Sequence, residues 1–367
     1  MPEQLAAVAN GAAAPAGPPV LEAVDVTKHF PVHGKSGGRL ASAHRRVVHA
    51  VEDASLALYP GRVTALVGES GSGKSTLARI LAGLYQRTSG EVLLRGQPVS
   101  ATRGRSFRRH VGDVQLILQD PYGSFNPMLR VATHLLRAVR IHEPQLSAEE
   151  RRARAAELLE QVHLRPASQF LEKFPHELSG GQLQRVSIAR GLAARPAVIL
   201  ADEPVSNLDV SIRLGVLNLL AELTTERQVA LLYVTHDVAS ARYFASQTAV
   251  MYAGQLIESG PSEQVVSEPA HPYTRLLISS APDPARASRA GQVADVGQPP
   301  SLISPPAGCR FHPRCPLAMA ECTTQAPPRF AHGGGRWTRC WLYRSGTTTE
   351  KAPTTSPDHS DREVSGP

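Results

Sequence analysis

Gly68-Glu69-Ser70-Gly71-Ser72-Gly73-Lys74-Ser75-Thr76 is the most informative local pattern in the chain. The stretch satisfies the phosphate-binding-loop pattern G-x-x-x-x-G-K-[ST], and its flanks supply the context that this chemistry needs. Upstream, Arg62-Val63-Thr64-Ala65-Leu66-Val67 reads as a short buried strand; downstream, Leu77-Ala78-Arg79-Ile80-Leu81-Ala82 carries helix-forming residues with apolar spacing. Glycines allow the backbone to turn tightly and aim its N–H groups at phosphate oxygens, and the helix adds the positive end of its dipole. Lys74 is placed to reach the β- and γ-phosphates, and the Ser75 hydroxyl to ligate Mg²⁺. A Gly/Ser-rich turn would explain the glycines but not the lysine and hydroxyl set between strand and helix. The reading is a bound nucleoside triphosphate.

Two further stretches extend the chemistry. Val198-Ile199-Leu200-Ala201-Asp202-Glu203 is an apolar strand ending in two acids. A carboxylate at that end of a parallel sheet lies beside the phosphate loop, where Asp202 can hold the Mg²⁺ shell. Glu203 can then accept a proton from an attacking water, or position that water. Leu178-Ser179-Gly180-Gly181-Gln182-Leu183-Gln184-Arg185 places Ser-Gly-Gly ahead of a helix over Gln182–Ala194. That makes a second anion-binding helix N-terminus carrying a serine hydroxyl. An ordinary N-cap explains the serine but not the paired glycines. One nucleotide has no need of two such sites from one chain; two chains facing head to tail do.

At this point the sequence resembles the ATPase subunits of ABC transporters over roughly residues 20–345. The resemblance implies that the phosphate loop of one subunit and the Ser179-Gly180-Gly181-Gln182 signature of another sandwich each ATP. It also assigns Gln119, in Leu118-Gln119-Asp120-Pro121, to the loop glutamine that touches Mg²⁺ and the attacking water. Asp209 falls in Ser206-Asn207-Leu208-Asp209, the segment that crosses the dimer interface, and His236, in Val234-Thr235-His236-Asp237, matches the γ-phosphate switch histidine. Phe30 is the candidate for stacking on adenine, with a core phenylalanine as the competing reading.

Finer features resemble the oligopeptide/dipeptide importers: Gln119 to Pro127, Phe174-Pro175-His176-Glu177, His271-Pro272-Tyr273-Thr274 and Cys309-Arg310-Phe311-His312-Pro313-Arg314-Cys315-Pro316. That subfamily also serves nickel and sugar-type solutes, so the match leaves the solute open, and an exporter is the nearest other reading. The implied partners are a second ATPase subunit (a copy or a paralogue), two transmembrane permeases and an extracytoplasmic solute-binding protein, at the cytoplasmic face of the membrane. The interval between phosphate loop and signature has no sustained heptads, which argues against a chromosome-maintenance ATPase. A single cassette argues against a ribosome-acting factor.

The expected fold is therefore α/β, a P-loop NTPase of the ABC ATPase type with an antiparallel β subdomain, an inserted helical subdomain and a small C-terminal Cys-containing module. Residues 1–19 form an Ala/Pro/Gly-rich tail expected to be disordered, and 20–280 the ATP-binding domain. Within that domain the helical part occupies about 125–175, with Ser147-Ala148-Glu149-Glu150 as a capping box. Residues 281–345 hold a linker and the cysteine module, and 346–367 a polar tail also expected to be disordered.

Composition is consistent with this. Across 367 residues, 42% are hydrophobic and 19% charged, ample for a core. The net charge of +7, from 39 basic and 32 acidic residues, is too mild to establish nucleic-acid binding, and none is expected. No apolar run reaches the length of a membrane span. All four cysteines, Cys309, Cys315, Cys322 and Cys340, lie near the C-terminus with five, six and seventeen residues between them. Clustered thiols in a cytosolic protein suggest metal rather than disulfides. The spacing lacks the Cys-x-x-Cys knuckle of structural zinc and is compatible with a [4Fe–4S] cluster; zinc and free thiols remain the alternatives.

Overall fold

The computed structural model describes residues 17–32, 46–99, 104–280 and 297–344; residues 1–16 of the expected N-terminal tail, the expected C-terminal tail, most of the 33–46 loop and much of the 281–308 linker lie outside them. Strand β3 (Val63–Val67) carries the phosphate loop, and its five residues are all buried. β7 (Val198–Asp202) and β8 (Ala230–Thr235) are buried throughout as well. Such uninterrupted apolar runs suit parallel strands covered on both faces. They form the centre of an eight-stranded sheet of order β11 (Phe330–Gly333), β12 (Arg336–Thr338), β10 (Gln255–Pro261), β9 (Gln247–Tyr252), β3, β8, β7 and β6 (Val114–Ile117), in which the last five run parallel.

A second, four-stranded antiparallel sheet has the order β2-β1-β4-β5, built from β1 (Leu21–Pro31), β2 (Val47–Leu58), β4 (Ser89–Leu94) and β5 (Gln97–Pro98). Its apolar face joins the helix after the phosphate loop, α1 (Lys74–Leu81), in one cluster that includes Leu21, Val51, Leu77 and Leu81. Helix α2 (Arg105–Asp113) then leads into β6.

The helical insertion consists of α3 (Val131–His142), α4 (Ala148–Gln161) and α5 (Ala167–Glu172). In α3, Val131, Leu135 and Val139 recur at four-residue intervals and are fully buried against Leu158, Leu159 and Val162. Helix α4 starts at the expected capping box: Glu150 N–H donates to Ser147 Oγ at 3.3 Å, and Ser147 N–H donates to Glu150 Oε2 at 2.7 Å. The signature helix α6 (Gly180–Leu192) begins two residues before the sequence-based boundary, because Ser179 is its N-cap. Helix α7 (Val210–Arg227) follows β7, and α8 (Val238–Phe244) follows β8.

The C-terminal part adds β10 (Gln255–Pro261), α9 (Ser262–Ser267) and α10 (Pro272–Ser279). Beyond these, the cysteine segment is built into the main sheet rather than trailing behind it. After the short helix α11 (Ala320–Thr324), the hairpin β11 (Phe330–Gly333) and β12 (Arg336–Thr338) pairs with β10 through Glu258↔Thr338 and Ser259↔Trp337. A hairpin this short gains little alone, and pairing with an existing edge satisfies its backbone donors.

Candidate active site

Four neighbouring parallel strands end at one edge of the sheet, and each releases a polar residue there. β3 runs into the phosphate loop, β8 into Thr235-His236, β7 into Asp202-Glu203 and β6 towards Gln119. The registers Val67↔Thr235, Asp202↔Val234 and Ile117↔Ala201 bring these ends level. Residues far apart in sequence thus meet at the carboxyl edge, where open α/β sheets bind ligands.

Within the loop, Lys74 Nζ donates to the carbonyls of Gly68 and Glu69, both at 2.8 Å. Its pKa is lowered by burial, opposed by the charges of Glu203, Asp202 and Glu69. Gly73 has φ 106°, and a Cβ there would lie 2.3 Å from the carbonyl oxygen of Ala50, so the turn into α1 demands glycine. Ser72 is buried, Ser70 and Gly71 are exposed, and Thr76 is half-buried on α1.

The Ser75 hydroxyl donates to Asp202 Oδ1 at 2.8 Å. Asp202 is only 3% exposed; burial raises its pKa, while the Ser75 hydrogen bond and Arg79 pull it down. A hydroxyl and a buried carboxylate joined in this way fit the two ligands of a Mg²⁺ ion, whose charge would relieve the desolvated carboxylate.

Glu203 is bracketed by two other candidates: Gln119 Nε2 donates to its Oε2 at 2.9 Å, and His236 Nδ1 lies 3.3 Å from Oε1. Ser206, singled out only as part of the interface segment, also engages this group. Its Oγ donates to the Glu203 carbonyl at 3.1 Å and accepts from Gln119 at 3.4 Å. Glu203 has φ 48°, a left-handed conformation costing about 1–2 kcal/mol, and its N–H is held by the Val234 carbonyl at 3.0 Å.

The Ser179-Gly180-Gly181-Gln182 turn stands apart from this cluster. Gln182 N–H donates to Ser179 Oγ at 3.3 Å and Ser179 N–H to Gln182 Oε1 at 3.1 Å, a reciprocal cap. A Cβ on Gly181 would lie 2.2 Å from Ile212 Cγ2, and one on Gly180 would lie 3.3 Å from Leu208. The paired glycines therefore let α6 approach the segment that starts α7. Asp209 is the exposed N-cap of α7 and makes no capping bond. Phe30 packs edge-on against Tyr85 at 5.5 Å between centroids, with the Lys28 ammonium 4.7 Å above its ring.

The four cysteines line one cavity with Phe311 and Trp341. Burial pushes the Cys309 and Cys340 thiols up to about 11 and raises that of Cys315, with the neighbouring cysteines adding to each shift. Among the described residues, only His29, His49 and Glu52 form a group of ligand atoms within 4.8 Å of one another, so the sulfurs do not close around a single tetrahedral zinc. Four thiols on one cavity are a donor set of the kind that holds an iron–sulfur cluster. The His29–His49–Glu52 group is a poor cation site, because the Arg310 guanidinium already binds the Glu52 carboxylate.

The profile of the ABC transporter family matches residues 51–206, and that of the oligopeptide/dipeptide transporter C-terminal region matches residues 257–322. A probable peptide ABC transporter ATP-binding protein of Sinorhizobium fredii is 41% identical over 88% of this chain and 89% of its own length. The dipeptide transport ATP-binding protein DppF of Escherichia coli is 38% identical over 88% of this chain and 94% of its own. Among solved structures, a dimeric ATP-binding cassette in a post-hydrolysis state bound to ADP and Pi superposes with a TM-score of 0.57 at 28% identity, covering 66% of this chain and 98% of that one. A Clostridium perfringens cassette from the cbiONQ complex gives 0.57 at 26% identity, over 69% and 92% of the two chains. The chain belongs to the ABC transporter family and is an ATP-hydrolysing subunit of its oligopeptide/dipeptide branch.

Proposed function

We propose that this subunit powers uptake of di- and oligopeptides through a membrane complex, at its cytoplasmic face. In that complex it pairs with a second ATPase subunit on two permeases supplied by a solute-binding protein. The relatives' names and the matched C-terminal region support this reading. Among the described residues, no helix is long and apolar enough to cross a membrane.

The observation that carries the catalytic assignment is Glu203, held between Gln119 and His236 and directly following the Asp202–Ser75 pair. Lys74 exchanges its loop carbonyls for the β- and γ-phosphates. Ser75, Asp202 and Gln119 would hold Mg²⁺, which when bound supplies charge to the phosphate oxygens. Glu203 takes a proton from the attacking water, and His236 contacts the γ-phosphate. Phe30 stacks on adenine, with the backbone of Gly68 to Gly73 and the hydroxyls of Ser70, Ser72 and Thr76 around the phosphates. The partner's Ser-Gly-Gly-Gln turn completes the site, while Asp209 faces the interface. Catalysis on this scheme is positioning and charge stabilisation, reached only when two subunits close.

Cys309, Cys315, Cys322 and Cys340 would hold a [4Fe–4S] cluster bracing the C-terminal segment. Iron and acid-labile sulfide near stoichiometry after anaerobic purification are expected; folded protein without metal would sink this assignment.

Uptake of labelled di- and oligopeptides by cells lacking the gene tests the transport reading. Wild type is expected to restore uptake and Glu203→Gln to leave it absent. Unchanged uptake on deletion, in a strain with no other peptide importer, would move the solute to another class.

A further inference from the structure

Two sequence motifs have no role in the mechanism above, His271-Pro272-Tyr273-Thr274 and Cys309 to Cys315, and both converge on Glu69. Glu69 is the second residue of the phosphate loop. Its N–H donates to the hydroxyl of Tyr273, a fully buried side chain at the start of α10. Its carboxylate receives a two-pronged bond from Arg314: Nη1 to Oε2 and Nη2 to Oε1, both at 3.1 Å. The Arg314 side chain is 9% exposed, also donates to the Tyr252 hydroxyl at 3.3 Å, and lies over the rings of Tyr252 and Phe311. Its position is fixed by the short helical turn His312–Arg314, which ends at Cys315 and begins three residues after Cys309.

The electrostatic consequence is direct. Glu69 places a negative charge in the loop that receives a triphosphate, close enough to Lys74 to oppose the lowering that burial imposes on the lysine's pKa. Without a counter-charge, that carboxylate would repel the ligand. A forked, largely buried guanidinium–carboxylate pair neutralises it in a fixed geometry. A second tie runs in parallel: Arg310 bonds the Glu52 carboxylate on β2 and the Ala253 carbonyl. Gly254 N–H in turn reaches the Ser72 carbonyl of the loop at 2.8 Å.

We propose that Arg314 is a positioning residue for ATP binding, neutralising Glu69 within the phosphate loop, so that nucleotide affinity depends on how the cysteine segment is seated. The proposal concerns nucleotide binding alone and stands apart from the solute and from what the cysteines hold.

Equilibrium binding of Mg-ATP to the full chain, with steady-state hydrolysis in the assembled complex, provides the test. Arg314→Ala is expected to weaken ATP binding about tenfold and to raise KM with kcat little changed. Adding Glu69→Gln to that variant is expected to restore affinity to within about twofold of wild type, since no charge then remains to neutralise. Arg314→Lys, which keeps the charge but loses the fork, is expected to fall between wild type and alanine. Unchanged affinity in Arg314→Ala would overturn the proposal. So would failure of Glu69→Gln to rescue it, which would reduce Arg314 to a packing residue.

Discussion

Glu203 shows how the chemistry is held at the scale of single residues. Its carboxylate is shared between Gln119 and His236, and its backbone is pinned in a left-handed conformation by Val234. Replacing it by glutamine keeps the shape and removes the proposed base. Hydrolysis is then expected to fall by about 10²–10⁴-fold with ATP binding retained, read by phosphate release; near-normal turnover would refute the assignment. His110 illustrates a different economy. It is 1% exposed, its Nε2 lies 2.7 Å from the Leu81 carbonyl, and burial lowers its pKa from the ordinary value near 6.5. A depressed folded-state pKa means that the unfolded chain takes up the extra proton. The stabilising contribution is complete above the unfolded value and is lost as pH falls below it. The slope is at most about 1.4 kcal/mol per pH unit below pH 6.5. Urea midpoints near pH 7.5 and 5.5 are expected to differ less in His110→Gln than in wild type, and an equal drop in both would contradict the account.

At the scale of elements, the signature helix is the sharpest case. Ser179 and Gln182 cap it reciprocally, and Gly181 sits against Ile212 with no room for a methyl group. Gly181→Ala is expected to cost about 1–3 kcal/mol, because Ile212 is branched and the helices must separate. A thermal midpoint unchanged from wild type would show that the packing yields. Most elements could be read from the sequence, since continuous apolar runs mark β7 and β8 and the Ser147–Glu150 box marks the start of α4. Strand β6 could not. Val114–Ile117 is four residues long beside an arginine-rich segment, and only pairing with β7 makes it a strand. The β11–β12 hairpin escaped for the same reason, since its partner β10 lies about seventy residues upstream.

For the whole molecule, local sequence determined the ligand and its chemistry. A loop of glycines with Lys74 and Ser75, two acids ending an apolar strand and a Ser-Gly-Gly helix start each carry their meaning in consecutive residues, because helix starts, tight turns and buried strands are local structures. Resemblance extended that to the family. Which of these residues meet is a matter of the three-dimensional packing alone. The parallel order β3-β8-β7-β6 brings Lys74, His236, Glu203 and Gln119 to one edge, and no spacing along the chain encodes strand order. Packing likewise decides that Arg314 and Tyr273 reach Glu69, across separations of 245 and 204 residues. Such contacts depend on the packing of α10 and the His312–Arg314 turn against the phosphate loop, an outcome that a one-dimensional reading cannot contain.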